Sequence, residues 1–186
     1  LNTTLEELEA LYRHSRPWMS LDALPSVVLA GAPNAGKSTL FNALLGRERA
    51  VTSHLPGATR DVLVEPLTLP GEDSAVEVLL TDLAGLDEPR QVLDRFAQQA
   101  ARAAIEQADV ILHIREVGTT AAPPIDAPAS ATVIDVVTKI DAARPGADAG
   151  MPVSAMTGQG LDDLRRAIRT AVAGRGASLS ADVLAL

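Results

Sequence analysis

The sequence lacks cysteine and long apolar runs, and each absence excludes a class of protein. Without cysteine there is neither a disulfide framework nor a thiolate metal site, which fits a reducing compartment. No apolar run approaches the roughly 18 residues that a membrane-spanning helix needs, and the first residues, LNTTLEELEA, do not resemble a signal peptide. We therefore expect a cytoplasmic protein with no membrane partner.

The sequence also lacks an excess of basic charge. Its formal net charge of −8 at pH 7 argues against broad electrostatic adhesion to nucleic acid or to an anionic membrane. Any contact with RNA is then expected to need another domain.

The chain is long enough for one ordinary domain, since 47% of its 186 residues are hydrophobic. We expect this domain at 25–175. Before it, TLEE (4–7) has the spacing of a capping box and is followed by leucines on one helical face, which predicts a connector helix within 1–24. The chain begins with Leu rather than Met, so we expect an excerpt whose residues 176–186 are a tail or a stump leading to another domain.

Short apolar runs alternate with helical stretches from Pro25 onward, a pattern typical of buried parallel strands joined by helices. Residues 62–69 and 75–81 flank the turn PGED and indicate an antiparallel hairpin, whose first strand is expected at an edge because it contains Pro66. The other predicted strands are 27–30, 108–114, 132–139 and 151–155. The predicted helices are 37–46, 90–107 and 161–172, the last with a stop near Gly174.

These elements predict an α/β fold of three layers, with a mostly parallel six-stranded sheet and one antiparallel edge strand. Residues 116–130 occupy the place of a crossover between two strands, yet their proline- and alanine-rich composition does not suit a full helix. We expect a loop or a shortened helix there.

The segment GAPNAGKS (31–38) fits the pattern G-x-x-x-x-G-K-[ST] and lies between a predicted strand and a predicted helix. Glycines let backbone N–H groups turn towards phosphates, and the helix N-terminus adds positive potential. Lys37 is expected to reach the outer phosphates, and the Ser38 hydroxyl to bind Mg²⁺. The fold is therefore predicted to be that of a P-loop NTPase.

Three later patterns, each after a predicted strand, favour guanine as the base. In DLAG (82–85) the carboxylate would hold Mg²⁺ through water, and the Gly85 amide would meet a γ-phosphate. In TKID (138–141) the lysine stem would lie over a base, and the carboxylate would accept two hydrogen bonds that adenine cannot supply. The backbone of SAMTGQG (154–160) would contact the base carbonyl. Taken singly, each aspartate also fits a turn-capping residue, but four motifs in order are hard to attribute to chance.

With these motifs the chain resembles the translation-factor-like GTPases, and most of all the G domain of the MnmE/TrmE tRNA-modification family, over about residues 25–173. The resemblance identifies Thr59, within PGATRD, as the switch threonine that joins Mg²⁺. It identifies Leu86 as the hydrophobic residue that replaces a water-orienting glutamine. Relatives of this kind are potassium-activated, and Asn34 matches the asparagine that binds K⁺ between the phosphates. From the residues alone, Asn34 also fits a residue that simply stabilises a turn.

The resemblance also aligns Asp94 with a family carboxylate that helps to place the attacking water. The family has the longer Glu there, and a solvated carboxylate at a helix start is the alternative. Leu83 and Thr138 stand where the family usually has Thr and Asn, and 116–130 replaces a regular helix, which indicates a divergent member. The chain has neither the family's folate-binding domain nor its cysteine motif, so by itself it is not expected to modify tRNA.

The predicted site residues fall into three sets. Nucleotide contacts are expected from Asn34, Ala35, Gly36, Lys37, Ser38, Thr39, Asp82, Gly85, Thr138, Lys139, Asp141, Ser154, Ala155 and Met156. Catalysis is expected to depend on Asn34, Lys37, Thr59, Gly85 and Asp94. Mg²⁺ is expected on Ser38, Thr59 and Asp82, and K⁺ on Asn34.

Four functions are compatible with these features. The first is a GTP-hydrolysing G domain of a tRNA-modification enzyme, stimulated when K⁺ brings two G domains together, with tRNA reached only through domains absent from this chain. The second is a ribosome-assembly GTPase of the Der or Era type that acts as a nucleotide-dependent binding switch. A module that uses GTP only for structure and a P-loop kinase that prefers ATP are the other two. The helical lead-in favours the first over Der.

Overall fold

The computed structural model describes residues 24–46, 63–71, 74–83, 94–119, 124–143 and 150–183. The predicted connector helix, Thr59, Gly85 and Leu86 lie outside these residues, so the structural predictions made for them stay predictions.

A six-stranded sheet forms the centre of the described structure. Its strands are β1 (Ser26–Gly31), β2 (Leu63–Leu69), β3 (Val76–Asp82), β4 (Val110–Glu116), β5 (Thr132–Thr138) and β6 (Met151–Pro152). They lie in the order β2-β3-β1-β4-β5-β6, and among these pairs β2/β3 is antiparallel while the others are parallel. Pro66 lies in β2 at the edge, where a missing N–H is tolerated. The predicted mostly parallel sheet with an antiparallel edge strand is confirmed.

The described residues form three helices, α1 (Lys37–Leu45), α2 (Asp94–Glu106) and α3 (Leu161–Val183). The predicted stop near Gly174 is wrong, because α3 continues through this residue to Val183. Glycine favours a helix end where the chain needs left-handed backbone, and inside a helix it only lowers stability. None of the described helices is both long and apolar enough to cross a bilayer.

The last strand is shorter than predicted. β6 pairs with β5 at two positions, and the next amide, that of Val153, still donates to the Val137 carbonyl oxygen over 2.8 Å. Ser154 then turns the chain, because its N–H donates to the Gln159 carbonyl and its own carbonyl accepts from the Gly158 N–H, each over 2.9 Å. The predicted strand residues 153–155 are therefore part of a loop.

Helices cover both faces of the sheet. On one face, side chains of α1 and α3 pack with the strands in a large apolar cluster that includes Leu40, Phe41, Leu44, Leu164 and Ile168. On the other face a smaller cluster of Val28, Ala30, Leu83, Ala108 and Ile111 contacts Ala101, Ala104 and Ile105 of α2. The three-layer prediction is confirmed.

The proline- and alanine-rich segment has no helix in its described part. After β4 ends at Glu116 the chain turns, and residues 124–131 are irregular until β5 begins. Pro124 and Pro128 explain this, since proline removes a backbone donor and disturbs the preceding helical turn. The prediction of a loop is confirmed for these residues.

Candidate nucleotide-binding site

A tight loop connects the end of β1 to the start of α1 at the carboxyl edge of the parallel strands. Gly31 lies against β4 so closely that a Cβ atom there would be 2.1 Å from the Ile114 carbonyl oxygen. Asn34 and Gly36 have φ angles of 61° and 90°, which lie in the left-handed region. Glycine and asparagine adopt this conformation more readily than other residues, so the sequence of the loop suits its curvature.

The N-terminus of α1 closes the other side of this loop. Its N-cap is Gly36, and no side-chain hydrogen bond of the described residues caps it. The Leu40 N–H donates to the carbonyl oxygen of this N-cap residue over 2.9 Å. The backbone N–H groups of the first helical turn point towards the loop at the positive end of the helix dipole, and a helix N-terminus of this kind forms an anion site.

Lys37 contributes a full positive charge to the same loop. Its side chain is nearly buried, and Nζ donates hydrogen bonds to the carbonyl oxygens of Gly31 and Ala32 over 2.9 and 2.8 Å. The ammonium group is therefore held beside the backbone of the loop, where a phosphate would be surrounded by positive potential.

Two oxygen-bearing side chains beside this loop fit a hard divalent cation. Asp82 is the last residue of β3, is only 1% exposed, and pairs in register with Leu29 of β1. Side-chain alternation along β3 places it on the same face as buried Val78 and Leu80, which is the face that α1 covers. Ser38 is the second residue of α1. Carboxylate and hydroxyl oxygens are ligands that Mg²⁺ binds together with phosphate oxygens.

Thr138 links the loop to the neighbouring strands. Its side chain is buried, and its hydroxyl lies 2.5 Å from the Ala35 carbonyl oxygen and 3.1 Å from that of Arg115. The single hydroxyl proton can serve one of these acceptors at a time, and the shorter distance favours Ala35. Thr138 thus acts on the loop from the end of β5, and its predicted contact with a nucleotide stays a prediction.

The base-recognition motif begins directly after Thr138. Lys139 has a φ angle of 60°, a strained conformation for a residue with a long side chain. Its Nζ donates to Glu116 Oε2 over 2.8 Å, and both side chains are about two-fifths exposed. Glu116 was not among the predicted site residues, because the strand was predicted at 108–114 with a loop from 116, whereas β4 extends to Glu116.

Asp141 and the last motif are joined by a hydrogen bond. Ser154 is fully buried, and its hydroxyl donates to Asp141 Oδ1 over 2.6 Å. The same hydroxyl oxygen accepts a bond from the Thr157 N–H over 3.1 Å. The structure therefore brings together the two motifs that the sequence analysis assigned to the base, although Asp141 and Ser154 are 13 positions apart in the chain.

The other predicted site residues differ in how the structure places them. Asn34 and Thr39 are exposed at the loop and in the first turn of α1. Met156 lies in the turn after Ser154, and 79% of it is exposed. Asp94 is the first residue of α2, which leaves its predicted role with the attacking water untested.

The sequence of this chain is similar to those of known GTPases. The family described as 50S ribosome-binding GTPase matches residues 26–142. A tRNA modification GTPase MnmE of Thermus thermophilus is 38% identical over 178 residues, which are 94% of this chain and 40% of that protein. The protein of the same name from Methylorubrum populi is 43% identical over 149 residues, with coverage of 79% and 32%. The chain thus spans two-fifths or less of the length of these relatives.

Solved structures with the same fold include two of Era. A point variant of Aquifex aeolicus Era bound to GDP·AlF₄⁻ matches with a TM-score of 0.64 and 28% identity over 80% of this chain and 57% of Era. Era in complex with MgGDPNP and nucleotides of 16S ribosomal RNA matches with a TM-score of 0.59 and 30% identity, covering 78% and 55%. The FeoB G domain of Methanococcus jannaschii, at 23% identity and a TM-score of 0.55, shows the fold alone and covers 80% and 97%.

Proposed function

This chain belongs to the 50S ribosome-binding GTPase family, and from that premise we propose that it is the G domain of a tRNA-modification GTPase. In this proposal the chain binds GTP with Mg²⁺ and hydrolyses it to GDP and phosphate in the cytoplasm. The observation that carries the proposal is the Ser154–Asp141 hydrogen bond, which lies at the same edge of the sheet as the Lys37 loop. We call the Lys37 loop the phosphate end of the site and the region of Asp141 and Ser154 the base end, and we propose that both ends bind one nucleotide.

Asp141 selects guanine in this proposal. A carboxylate can accept hydrogen bonds from the N1–H and N2–H₂ donors of guanine, and adenine does not present that pair. The Ser154 hydroxyl donates a hydrogen bond to Asp141 Oδ1 over 2.6 Å, and this bond restrains the orientation of the carboxylate. A restrained acceptor loses less conformational entropy on binding than a free one.

Ser38 and Asp82 would hold Mg²⁺ together with Thr59, which the family resemblance supplies. A Mg²⁺ ion held by these residues would supply positive charge that neutralises part of the charge of the outer phosphates. Lys37 and the N–H groups at the start of α1 contribute the remaining positive potential from this chain.

Potassium stimulation is a separate proposal, based on Asn34 and the family resemblance. The left-handed backbone of Asn34 supports the turn interpretation as well, because asparagine tolerates this conformation. Its exposed side chain supports the cation interpretation. Bound K⁺ would add positive charge beside the phosphates.

Two variants of Asn34 separate these interpretations. Asn34→Ala removes the carboxamide and places alanine, which tolerates left-handed backbone less well than asparagine, at a φ angle of 61°, whereas Asn34→Gly removes the carboxamide without strain. We would measure phosphate release from GTP and from ATP in matched potassium and sodium buffers. Faster GTP cleavage in potassium that both variants lose supports the cation role.

Three other outcomes contradict parts of the proposal. If Asn34→Gly keeps the potassium effect that Asn34→Ala loses, Asn34 is a turn residue. If turnover of the wild-type chain is the same in both cations, potassium stimulation is wrong for the isolated chain. A preference for ATP would contradict the guanine assignment itself.

The link to tRNA comes from relatives that are named tRNA modification GTPase MnmE. Since they share at most two-fifths of their length with this chain, we propose that tRNA is reached through other domains. A potassium-dependent G-domain dimer would couple hydrolysis to those domains. Sedimentation with GDP and aluminium fluoride should give a dimer in potassium and a monomer in sodium; a monomer in both would contradict the dimer.

A ribosome-binding switch is the second candidate, and the similarity to Era structures at 28% and 30% identity favours it. The higher identity to MnmE, over 94% of the chain in one case, favours the first candidate. Co-sedimentation with ribosomal subunits in the presence of a non-hydrolysable GTP analogue, but not of GDP, would favour the switch.

A further inference from the structure

Lys139 lies in the base-recognition motif, and its long, flexible side chain does not by itself favour one position. A lysine side chain has several rotatable bonds, and exposed lysines occupy many rotamers. Here Nζ is directed to one partner, Glu116 Oε2, at 2.8 Å. The stem between Cα and Nζ therefore has two fixed ends.

Glu116 is itself held by several contacts. It pairs in register with Thr138 at the ends of β4 and β5. The following amide, that of Val117, donates to the Thr138 carbonyl oxygen over 3.0 Å. The Thr119 hydroxyl donates to the Glu116 carbonyl oxygen over 2.6 Å. The carboxylate therefore projects from a backbone that is fixed on both sides.

The backbone of Lys139 is fixed as well. Its φ angle of 60° is left-handed, and its carbonyl oxygen accepts a hydrogen bond from the Ala142 N–H over 2.9 Å. Non-glycine residues in this conformation are uncommon and tend to occur at functional sites, where the surrounding structure maintains them. Because the backbone is fixed at both Glu116 and Lys139, the direction of the lysine side chain between them is fixed as well.

We infer that Glu116 is a positioning residue for the nucleotide base, acting through its ion pair with Lys139. The pair holds the lysine stem in one place beside Asp141, so that an aromatic base finds its supporting surface already formed. Such preorganisation lowers the entropic cost of binding. The inference rests on the proposed guanine-nucleotide site and adds a residue that the sequence motifs do not contain.

The expected size of the effect follows from exposure. Both partners are about two-fifths exposed, so water and salt screen their attraction. Pairs of this kind change an equilibrium constant by up to about fivefold. We therefore expect that removing the ion pair changes the affinity for the nucleotide modestly and leaves the chain folded.

The test measures the dissociation constant of GDP by titration calorimetry for the full chain and its variants. Glu116→Gln keeps the size of the side chain and removes its charge, and we expect it to weaken binding by about two- to fivefold. Glu77→Gln is the matched control, since Glu77 is an exposed carboxylate of the β2/β3 hairpin, and we expect unchanged affinity. Thermal unfolding of both variants should match the wild type.

A double-mutant cycle with Lys139→Met tests whether Glu116 acts through Lys139. Methionine keeps an unbranched stem without the charge, so Glu116→Gln should cost nothing further in that background. The deficit of Glu116→Gln should also shrink in about 1 M salt, where the Debye length falls to about 3 Å.

Two results would overturn the inference while GDP still binds to the wild type. One is an affinity of Glu116→Gln equal to that of the wild type. The other is an equal loss from Glu116→Gln with and without Lys139→Met, which would mean that Glu116 acts independently. If the wild-type chain binds no GDP, the proposed function fails, and this inference fails with it.

Discussion

The two ends of the nucleotide site are built in different ways. At the phosphate end, backbone conformation and one buried lysine form the site, and Gly31 leaves no room for a side chain next to Ile114. At the base end, side chains hold one another across loops, as in the pairs Ser154–Asp141 and Lys139–Glu116. The comparison indicates that the phosphate end belongs to the folded core, whereas the base end can vary without loss of the fold.

Gly31→Ala should have the largest effect. The new Cβ would lie 2.1 Å from the Ile114 carbonyl oxygen, so β1 or β4 must shift. We expect the free energy of unfolding to fall by about 3 kcal/mol, as in overpacked cores. Urea denaturation measures this change.

Gly174→Ala is the control for this change. Among the described residues, no atom outside the backbone of its own helix lies within 4 Å of a Cβ at that position, and Gly174 is inside α3. Alanine should raise the free energy of unfolding by about 0.5 to 1 kcal/mol. If both alanine variants have the same effect, close packing at the phosphate end is not what Gly31 provides.

Lys37→Ala should weaken GDP binding by about 100-fold, because a nearly buried charge would no longer face the phosphates. Fluorescence titration with a labelled GDP provides the measurement. Arg166→Ala removes an exposed cation of α3 and should leave affinity unchanged. A tenfold or smaller effect of Lys37→Ala would mean that backbone N–H groups account for most of the phosphate binding.

Thr138→Val tests the point where the two ends meet. It removes the hydroxyl that lies 2.5 Å from the Ala35 carbonyl and leaves that buried acceptor without its bond. We expect a loss of about 1 to 2 kcal/mol in the free energy of unfolding, while Thr138→Ser should keep most of the stability. A loss in Thr138→Ser with none in Thr138→Val would assign the role of Thr138 to its methyl group.

Ser154→Ala should have the smallest effect of these four. The variant loses the hydrogen bond to Asp141 Oδ1, worth about 1 kcal/mol, so GDP affinity should fall by about fivefold. Thr157→Ala is the control, because the hydrogen bond that its exposed hydroxyl accepts from the Gln159 N–H is long, at 3.4 Å. A loss of 100-fold or more in Ser154→Ala would contradict the view that the base end tolerates variation.

Much of the fold could be predicted because its signals are local. Apolar runs in the sequence predicted the strands, and Pro66 predicted that β2 lies at an edge of the sheet. The predicted helix stop at Gly174 was wrong because a glycine permits left-handed backbone without requiring it. The end of β6 was misplaced because the turn at Ser154 depends on hydrogen bonds to Gly158 and Gln159.

The sequence by itself determined the order of elements and the chemistry of the phosphate loop. Both depend on short-range patterns, namely apolar periodicity and residues such as Gly36 that suit a required backbone angle. Only the tertiary structure decided that Thr138 contacts the loop and that Glu116 pairs with Lys139. These partners are 103 and 23 residues apart, and parallel strand pairing brings such distant residues together in a way that no local pattern encodes.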